Sequence, residues 1–61
     1  MNLDYLKGFC EEKIAEYPEL KEQIAELYLL AQDEIIHEGG STFQEVGLAI
    51  ESINQLIEEN Q

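Results

Sequence analysis

Residues 33–42 read DEIIHEGGST, a stretch that ends one predicted helix and begins the next. Gly39 is well placed as the left-handed residue that closes a helix, because glycine adopts a positive φ without the steric penalty of a Cβ. Ser41 and Thr42 each have a glutamine or glutamate three positions further on, which is the spacing of a capping box. A loop of two or three residues makes the flanking helices antiparallel neighbours. The stretch therefore predicts a helical hairpin.

The helix after this loop is predicted to run from about Thr42 to about Glu59. Its apolar seam repeats at intervals of three and four residues and consists of Phe43, Val46, Ile50, Ile53 and Ile57. Ala49 and Leu56 widen the seam on one side. A seam with this spacing packs nearly antiparallel against a neighbouring helix.

The helix before the loop is predicted to span residues 18–38, because Pro18 fits the first helical position and forces Tyr17 away from helical angles. A kinked helix continuous with the preceding segment is the alternative. The main apolar stripe consists of Leu20, Ile24, Leu27, Tyr28, Ala31 and Ile35. Ala25, Leu29 and Ile36 fall on nearly the opposite face, so both apolar faces of this helix are expected to be buried. The last helix is expected to pack on one face, and either the first helix or another molecule is expected to pack on the other.

A shorter N-terminal helix is predicted from about residue 3 to 15, with Asn2 as its N-cap. Its stripe consists of Leu3, Leu6, Phe9, Cys10 and Ile14. Gly8 inside it costs roughly 1 kcal/mol relative to alanine. The predicted fold is one all-α domain over residues 1–61, an antiparallel hairpin of helices 18–38 and 42–59 with this helix packed across it. Surplus apolar surface predicts a homodimer that forms a helical bundle, and its residues are Ala25, Leu29, Ile36 and Leu48.

The charge of the chain is strongly acidic and unevenly distributed. The formal net charge is −11, and the only basic residues are Lys7, Lys13 and Lys21. Residues 22–61 therefore contain acids but no lysine or arginine. Direct binding to nucleic acid or to an anionic membrane is disfavoured, because both depend on basic side chains. A basic protein surface is the expected electrostatic partner.

The location predicted from the sequence is cytoplasmic. The N-terminal segment lacks the basic start and unbroken apolar run of a signal peptide. No apolar stretch approaches the roughly 18 residues of a membrane span. The single cysteine, Cys10, excludes an internal disulfide and a cysteine-based zinc site within one chain.

Glu34 and His37 have the Glu-x-x-His spacing of di-metal helical bundles, and they share one strip of their helix with Gln23, Leu27 and Leu30. A dimer of hairpins would need a further inward glutamate from the last helix. Glu51 lies well off the seam of that helix and Glu45 lies at its outer edge. The preferred interpretation is that His37 is a favourable cation at a helix C-terminus and that the chain binds no metal or cofactor.

Catalysis is not expected from this sequence. No serine or cysteine is paired with the lone histidine at a suggestive spacing, and a chain of 61 residues has little room for a closed pocket. Cys10 lies in an apolar stripe beside Glu11 and Glu12, which raise rather than lower the pKa of a thiol. It is interpreted as a packing residue.

The predicted function is that of a small acidic, non-catalytic protein–protein interaction module, a regulator or inhibitor that docks on a larger protein with a basic or apolar surface. One alternative is a DNA mimic, because the composition is similar to that of small acidic inhibitors of nucleic-acid-binding proteins. Another is a metal-binding bundle formed by dimerisation. The predicted partner-binding residues are Leu29, Ile36, Leu48, Glu22, Glu26, Asp33 and Glu45.

Overall fold

The structure is a computed structural model that describes residues 2–61. It is all-helical, as predicted, and no strand is present in this range. The helices are α1 (Leu3–Glu16), α2 (Lys21–His37) and α3 (Thr42–Glu59), with a 3₁₀ turn at Pro18–Leu20. Each α-helix contacts the other two, so α1 packs across a hairpin formed by α2 and α3.

The junction between α1 and α2 confirms the predicted break at Tyr17. The backbone of Tyr17 leaves the helical region at φ −132° and ψ 68°. The prediction that the next helix starts at Pro18 is wrong by three residues, because Pro18–Leu20 forms a 3₁₀ turn and the α-helix begins at Lys21. The Leu20 N–H donates to the Tyr17 carbonyl oxygen at 2.9 Å, which is the tighter i to i+3 bond of such a turn.

The hairpin turn has the predicted geometry. Gly39 has a φ of +73°, and no other described residue has a positive φ. The Gly40 N–H donates to the Glu34 carbonyl oxygen at 2.8 Å, a hydrogen bond that spans the left-handed Gly39 and closes the end of α2. Ser41 then caps α3, and its Oγ accepts from the Gln44 N–H at 3.4 Å. These contacts close α2 and start α3 within four residues.

The opposite end of the hairpin returns to the junction of α1 and α2. There the side-chain amide of Gln61 donates to the Tyr17 hydroxyl at 3.5 Å, across 44 positions of sequence. A bond between the end of the chain and this junction requires α3 to run antiparallel to α2. The hydrogen bond itself is long and exposed, so the antiparallel packing depends on the apolar core.

The core is formed by small and medium-sized apolar side chains from all helices, and no polar side chain of residues 2–61 is buried with them. Its members are Leu6, Cys10, Leu20, Ile24, Ala31, Val46, Ala49, Ile53 and Ile57. The prediction that Phe43 belongs to the buried seam is wrong, because this side chain is 70% exposed. Phe43 lies in the first turn of α3, at the loop end of the hairpin, where the end of α2 offers little surface to pack against.

One face of α2 remains uncovered. Both α1 and α3 pack on the side of α2 that carries Ile24 and Ala31, whereas Leu29 and Ile36 on the opposite side are 57% and 58% exposed. α1 therefore does not cover the second apolar face of α2 that the sequence pattern indicates. We call the surface formed by Ala25, Leu29 and Ile36 the outer strip.

Candidate partner-binding groove

A groove runs between α2 and α3, and within residues 2–61 no side chain of α1 lines it. It consists of two hollows of about 450 and 230 Å³ that share Leu27, Leu30 and Ser52 and so form one continuous depression. Its lining residues are Gln23, Glu26, Leu27, Leu30, Ala31, Asp33, Glu34, Glu45, Leu48, Ala49, Ser52, Gln55, Leu56 and Glu59. We call this surface the groove.

Small side chains line the smaller hollow, which lies nearer the hairpin turn, and two leucines stand beside them. Ala31 and Ala49 are buried, and with Ser52 they leave depth between the helices. Leu30 on α2 is 59% exposed and Leu48 on α3 is 50% exposed, so both present apolar surface to solvent. The groove can therefore accept a large apolar side chain between two leucines.

The polar lining of the groove is acidic. Glu26 and Glu59 line one hollow, and Asp33, Glu34 and Glu45 line the other. No lysine, arginine or histidine of the described chain is among the lining residues. Carboxylates around a concave apolar surface concentrate a negative potential where a ligand would bind.

The one ion pair formed within residues 2–61 lies on α1, away from the groove. Lys13 Nζ lies 3.1 Å from Glu16 Oε1 and 5.5 Å from the centroid of the Phe9 ring. The hydrogen bond to Glu16 raises the pKa of Lys13 and keeps it charged. None of the acids that line the groove forms an ion pair within residues 2–61, although Lys21 shares a neighbouring hollow with Gln23 and Glu26.

Helical spacing explains how the groove is assembled. On α2 the lining residues Gln23, Leu27, Leu30 and Glu34 recur at intervals of four and three residues, which places them on one side of the helix. On α3 the same intervals of four and three residues relate Glu45, Ala49, Ser52, Leu56 and Glu59. The two sides meet because the hairpin is antiparallel, so the start of α2 lies beside the end of α3.

The seven predicted partner-binding residues divide between surfaces. Those in the groove are Glu26, Asp33, Glu45 and Leu48. Leu29 and Ile36 lie on the outer strip, and Glu22 lies beside Pro18 and Glu19 at the start of α2. The structure therefore does not bring the predicted set together as one site.

Sequence reasoning left Leu30 and Glu34 out of the partner-binding set, although it recognised their strip on α2 as an inward face in a metal-binding dimer. It left out Ser52, Leu56 and Glu59 on α3 entirely. The available signal was the recurrence of lining residues at three and four positions along α3. This recurrence identifies lining residues only when the strip of α2 that faces them across the groove is known.

The two candidate metal ligands lie near the hairpin turn. Glu34 lines the groove, whereas His37 is the last residue of α2 and is not part of the lining. Within residues 2–61 no group of three histidine, cysteine, aspartate or glutamate side chains is arranged to hold a metal ion. A metal site completed by a second chain stays a prediction.

Cys10 is buried in the core, with only 4% of its surface exposed. Burial raises the pKa of its thiol, and the negative charge of Glu11 raises it further. The predicted direction is confirmed, although burial rather than the neighbouring acid is the larger cause. The neutral thiol packs as a small apolar group.

Comparison of the chain with protein-family models, with curated proteins and with solved structures found no match in any of the three. Among the described residues, no helix has both the length and the apolar character needed to cross a membrane. The features of this chain that bear on its function are therefore the shape, apolar lining and charge of the groove.

Proposed function

We propose that this protein is a non-catalytic interaction module that regulates or inhibits a larger protein by binding a basic, apolar surface in its groove. One observation carries the proposal: exposed leucines and acids that form no ion pair within residues 2–61 line the same groove. Apolar surface supplies affinity when it is buried. Acids steer association with a basic partner and select against acidic ones.

The apolar contribution of the two exposed leucines is modest. Complete burial of a leucine side chain is worth about 1.5–3 kcal/mol relative to full exposure. Leu30 and Leu48 are each about half exposed. Covering both therefore contributes on the order of 1–3 kcal/mol, and the floor of the groove adds to this.

A DNA mimic remains the alternative function. It is supported by the acidic side chains of residues 22–61, where the chain has no lysine or arginine. In this alternative the charge dominates, and the exposed leucines contribute little. The partner would then be a nucleic-acid-binding protein, and DNA would compete with this chain for it.

The predicted homodimer also remains a proposal, and the outer strip supports it. Leu29 and Ile36 are exposed on the face of α2 that neither α1 nor α3 covers. This surface is separate from the groove. A dimer formed through the outer strip is therefore compatible with partner binding in the groove.

A capture experiment with matched variants tests the proposed function. The tagged chain would be incubated with a lysate of its host cell, washed in parallel at about 0.1 and 0.5 M salt, and the captured proteins identified. At the higher salt concentration the Debye length falls to roughly 4 Å, so that attraction between most exposed charges is screened. The groove variant is Leu30→Ser with Leu48→Ser, and the control is Leu29→Ser with Ile36→Ser.

The proposal expects a partner that the wild type and the control variant both capture and that the groove variant loses. This partner should be retained in part at 0.5 M salt. Equal capture by the groove variant would overturn the proposal. A partner that only the weak wash retains, and that added DNA displaces, would instead support the mimic.

A further inference from the structure

We propose that the group bound in the groove is a basic amphipathic helix of about three turns, supplied by the partner protein. This inference rests on the proposed function and names the chemistry of its partner. The bound helix would lie along α2 and α3 on the side of the hairpin away from α1. It would complete a four-helix arrangement in which the groove and the partner share an apolar layer.

The walls of the groove favour a helical partner over an extended one. α2 and α3 use their backbone N–H and C=O groups in their own helices, so the groove presents no open strand edge. An extended segment would find no backbone ladder there, and its buried amides would lose their water. A helix satisfies its own backbone and can place a ridge of side chains between two helices.

The smaller hollow, nearer the hairpin turn, fits such a ridge. Ala31, Ala49 and Ser52 are small, and Leu30 and Leu48 stand on either side of them. An apolar side chain of the partner would enter above the small residues and contact both leucines. Further apolar residues one turn away in either direction would extend the contact along the groove.

The length of the groove sets the length of the helix. On α2 the lining runs from Gln23 to Glu34, a separation of 11 residues, and on α3 it runs from Glu45 to Glu59, a separation of 14 residues. At 1.5 Å per residue the stretch that both helices line is about 17 Å, or about three helical turns. The anchors of a matching helix therefore recur at intervals of three and four residues over about 11 positions.

The charge of the groove requires basic flanks on that helix. Glu26 and Glu59 lie near one end, whereas Asp33, Glu34 and Glu45 lie toward the other. Lysine or arginine on both sides of the partner's apolar ridge would face these acids. Such pairs at the rim mainly increase the association rate and the specificity.

The same charge disfavours a second copy of this chain as the bound helix. α1 has four acids against two lysines, α2 has four acids against one lysine, and α3 has four acids and no basic residue. Every helix that a second copy could insert is therefore net acidic. Placing it among the five acids of the groove would add repulsion.

Synthetic peptides of about 14 residues provide the test, since this length covers the groove with short flanks. The first has leucines on one helical face and lysines on both sides of it. The second replaces the lysines by glutamates, and the third is the lysine peptide with a proline at its centre. Fluorescence anisotropy would measure binding at about 0.1 and 0.5 M salt, and circular dichroism would measure helix formation on binding.

Two charge variants separate binding in the groove from general attraction to an acidic protein. Glu26→Gln with Asp33→Asn removes two charges from the groove. Glu51→Gln with Glu58→Gln removes the same number from exposed positions of α3 outside it. Leu30→Ser with Leu48→Ser tests the apolar contact.

The lysine peptide should bind and gain helix. The groove variants should weaken its binding at least tenfold, and the Glu51 and Glu58 variant should weaken it less than threefold. The glutamate and proline peptides should bind at least tenfold more weakly than the lysine peptide. Equal binding of the proline peptide would overturn the helical form, and equal loss in both charge variants would overturn the groove as the site.

Failure of this inference can be told apart from failure of the proposed function. If the lysine peptide does not bind, but capture of a cellular partner still depends on Leu30 and Leu48, the basic helix is wrong and the groove remains a binding site. If neither experiment depends on these leucines, both proposals are wrong.

Discussion

The Gly40 N–H donates to the Glu34 carbonyl oxygen at 2.8 Å, while the side chain of Glu34 lines the groove. The same residue therefore closes α2 through its backbone and presents a carboxylate to the groove. An added Cβ on Gly40 would lie 3.2 Å from this carbonyl oxygen and 3.1 Å from Cγ of Glu45, another lining residue. Tight closure of the hairpin thus determines where one acidic end of the groove lies.

Alanine substitutions at Gly8 and Gly39 are predicted to change the free energy of unfolding in opposite directions. Gly39→Ala should lower the free energy of unfolding by about 1 kcal/mol or more, because the φ of +73° is costly for a residue with a Cβ. Gly8→Ala should raise it by about 0.5–1 kcal/mol, because Gly8 is inside α1 and its added Cβ meets no atom within 4 Å. Urea denaturation of both variants tests the pair, and the same sign for both would contradict it.

Loss of the cap on α3 should destabilise the hairpin. Ser41→Ala removes the oxygen that accepts from the Gln44 N–H, and such a loss typically costs about 0.5–2 kcal/mol. We expect the lower part of this range because the hydrogen bond is 3.4 Å long and exposed. Ser41→Asp should restore most of the stability, since aspartate also caps a helix N-terminus. An unchanged denaturation midpoint in Ser41→Ala would show that the cap contributes nothing.

Truncation of the core at Ile53 should be severe for a domain this small. Ile53 is fully buried, and isoleucine to alanine in a core costs about 2–5 kcal/mol. Ile53→Val should cost only about 0.5–1.5 kcal/mol. Thermal unfolding followed by circular dichroism would rank the two variants, with Leu29→Ala as an exposed control. Equal melting temperatures for Ile53→Ala and Leu29→Ala would mean that the described core does not form.

The buried thiol predicts a loss of stability at alkaline pH. The pKa of Cys10 lies above its ordinary value of 9.0 in the folded chain, whereas the unfolded chain has the ordinary value. As the pH rises through 9, the unfolded chain therefore binds fewer protons than the folded chain. The contribution of the thiol to the free energy of unfolding is full below pH 9 and is lost as the pH rises toward the folded pKa.

Denaturation of the wild type and of Cys10→Ala between about pH 8 and 10 measures this contribution, since other groups titrate equally in both proteins. The difference in stability between them should shrink as the pH rises. Alkylation of the thiol supplies an independent measurement, and it should be much slower in the folded chain than in urea. Parallel pH profiles together with rapid alkylation of the folded chain would contradict the buried position.

The predicted homodimer should depend on the outer strip and should respond to salt in the opposite direction from groove binding. Light scattering at tens of micromolar would show a dimer, and Leu29→Ser with Ile36→Ser would make it monomeric. Higher salt should strengthen the dimer, because it screens repulsion between two chains of net charge −11. Leu30→Ser serves as the control at an exposed leucine outside the outer strip and should leave the mass unchanged. A monomeric wild type at this concentration would contradict the prediction.

Much of the fold could be predicted from local chemistry. Gly39 and Ser41 marked the hairpin turn, and Pro18 marked the break, because each acts through its own backbone or its nearest neighbours. The start of α2 was placed three residues too early, since proline fits both an α-helical and a 3₁₀ first turn. The apolar pattern predicts the face of α3 on which Phe43 lies, but it does not predict whether another helix packs against that turn. The expected burial of Phe43 is therefore wrong.

Periodicity, turn chemistry and composition are enough to predict the helices, their caps, the antiparallel hairpin and the acidic charge of residues 22–61. The packing of the helices places α1 and α3 on one side of α2, which leaves Leu29 and Ile36 exposed. The same packing brings Glu26, Leu30 and Glu34 together with Glu45, Leu48 and Glu59 in one groove. Local chemistry cannot predict this arrangement, because the lining of a groove between two helices depends on how each helix is rotated against the other.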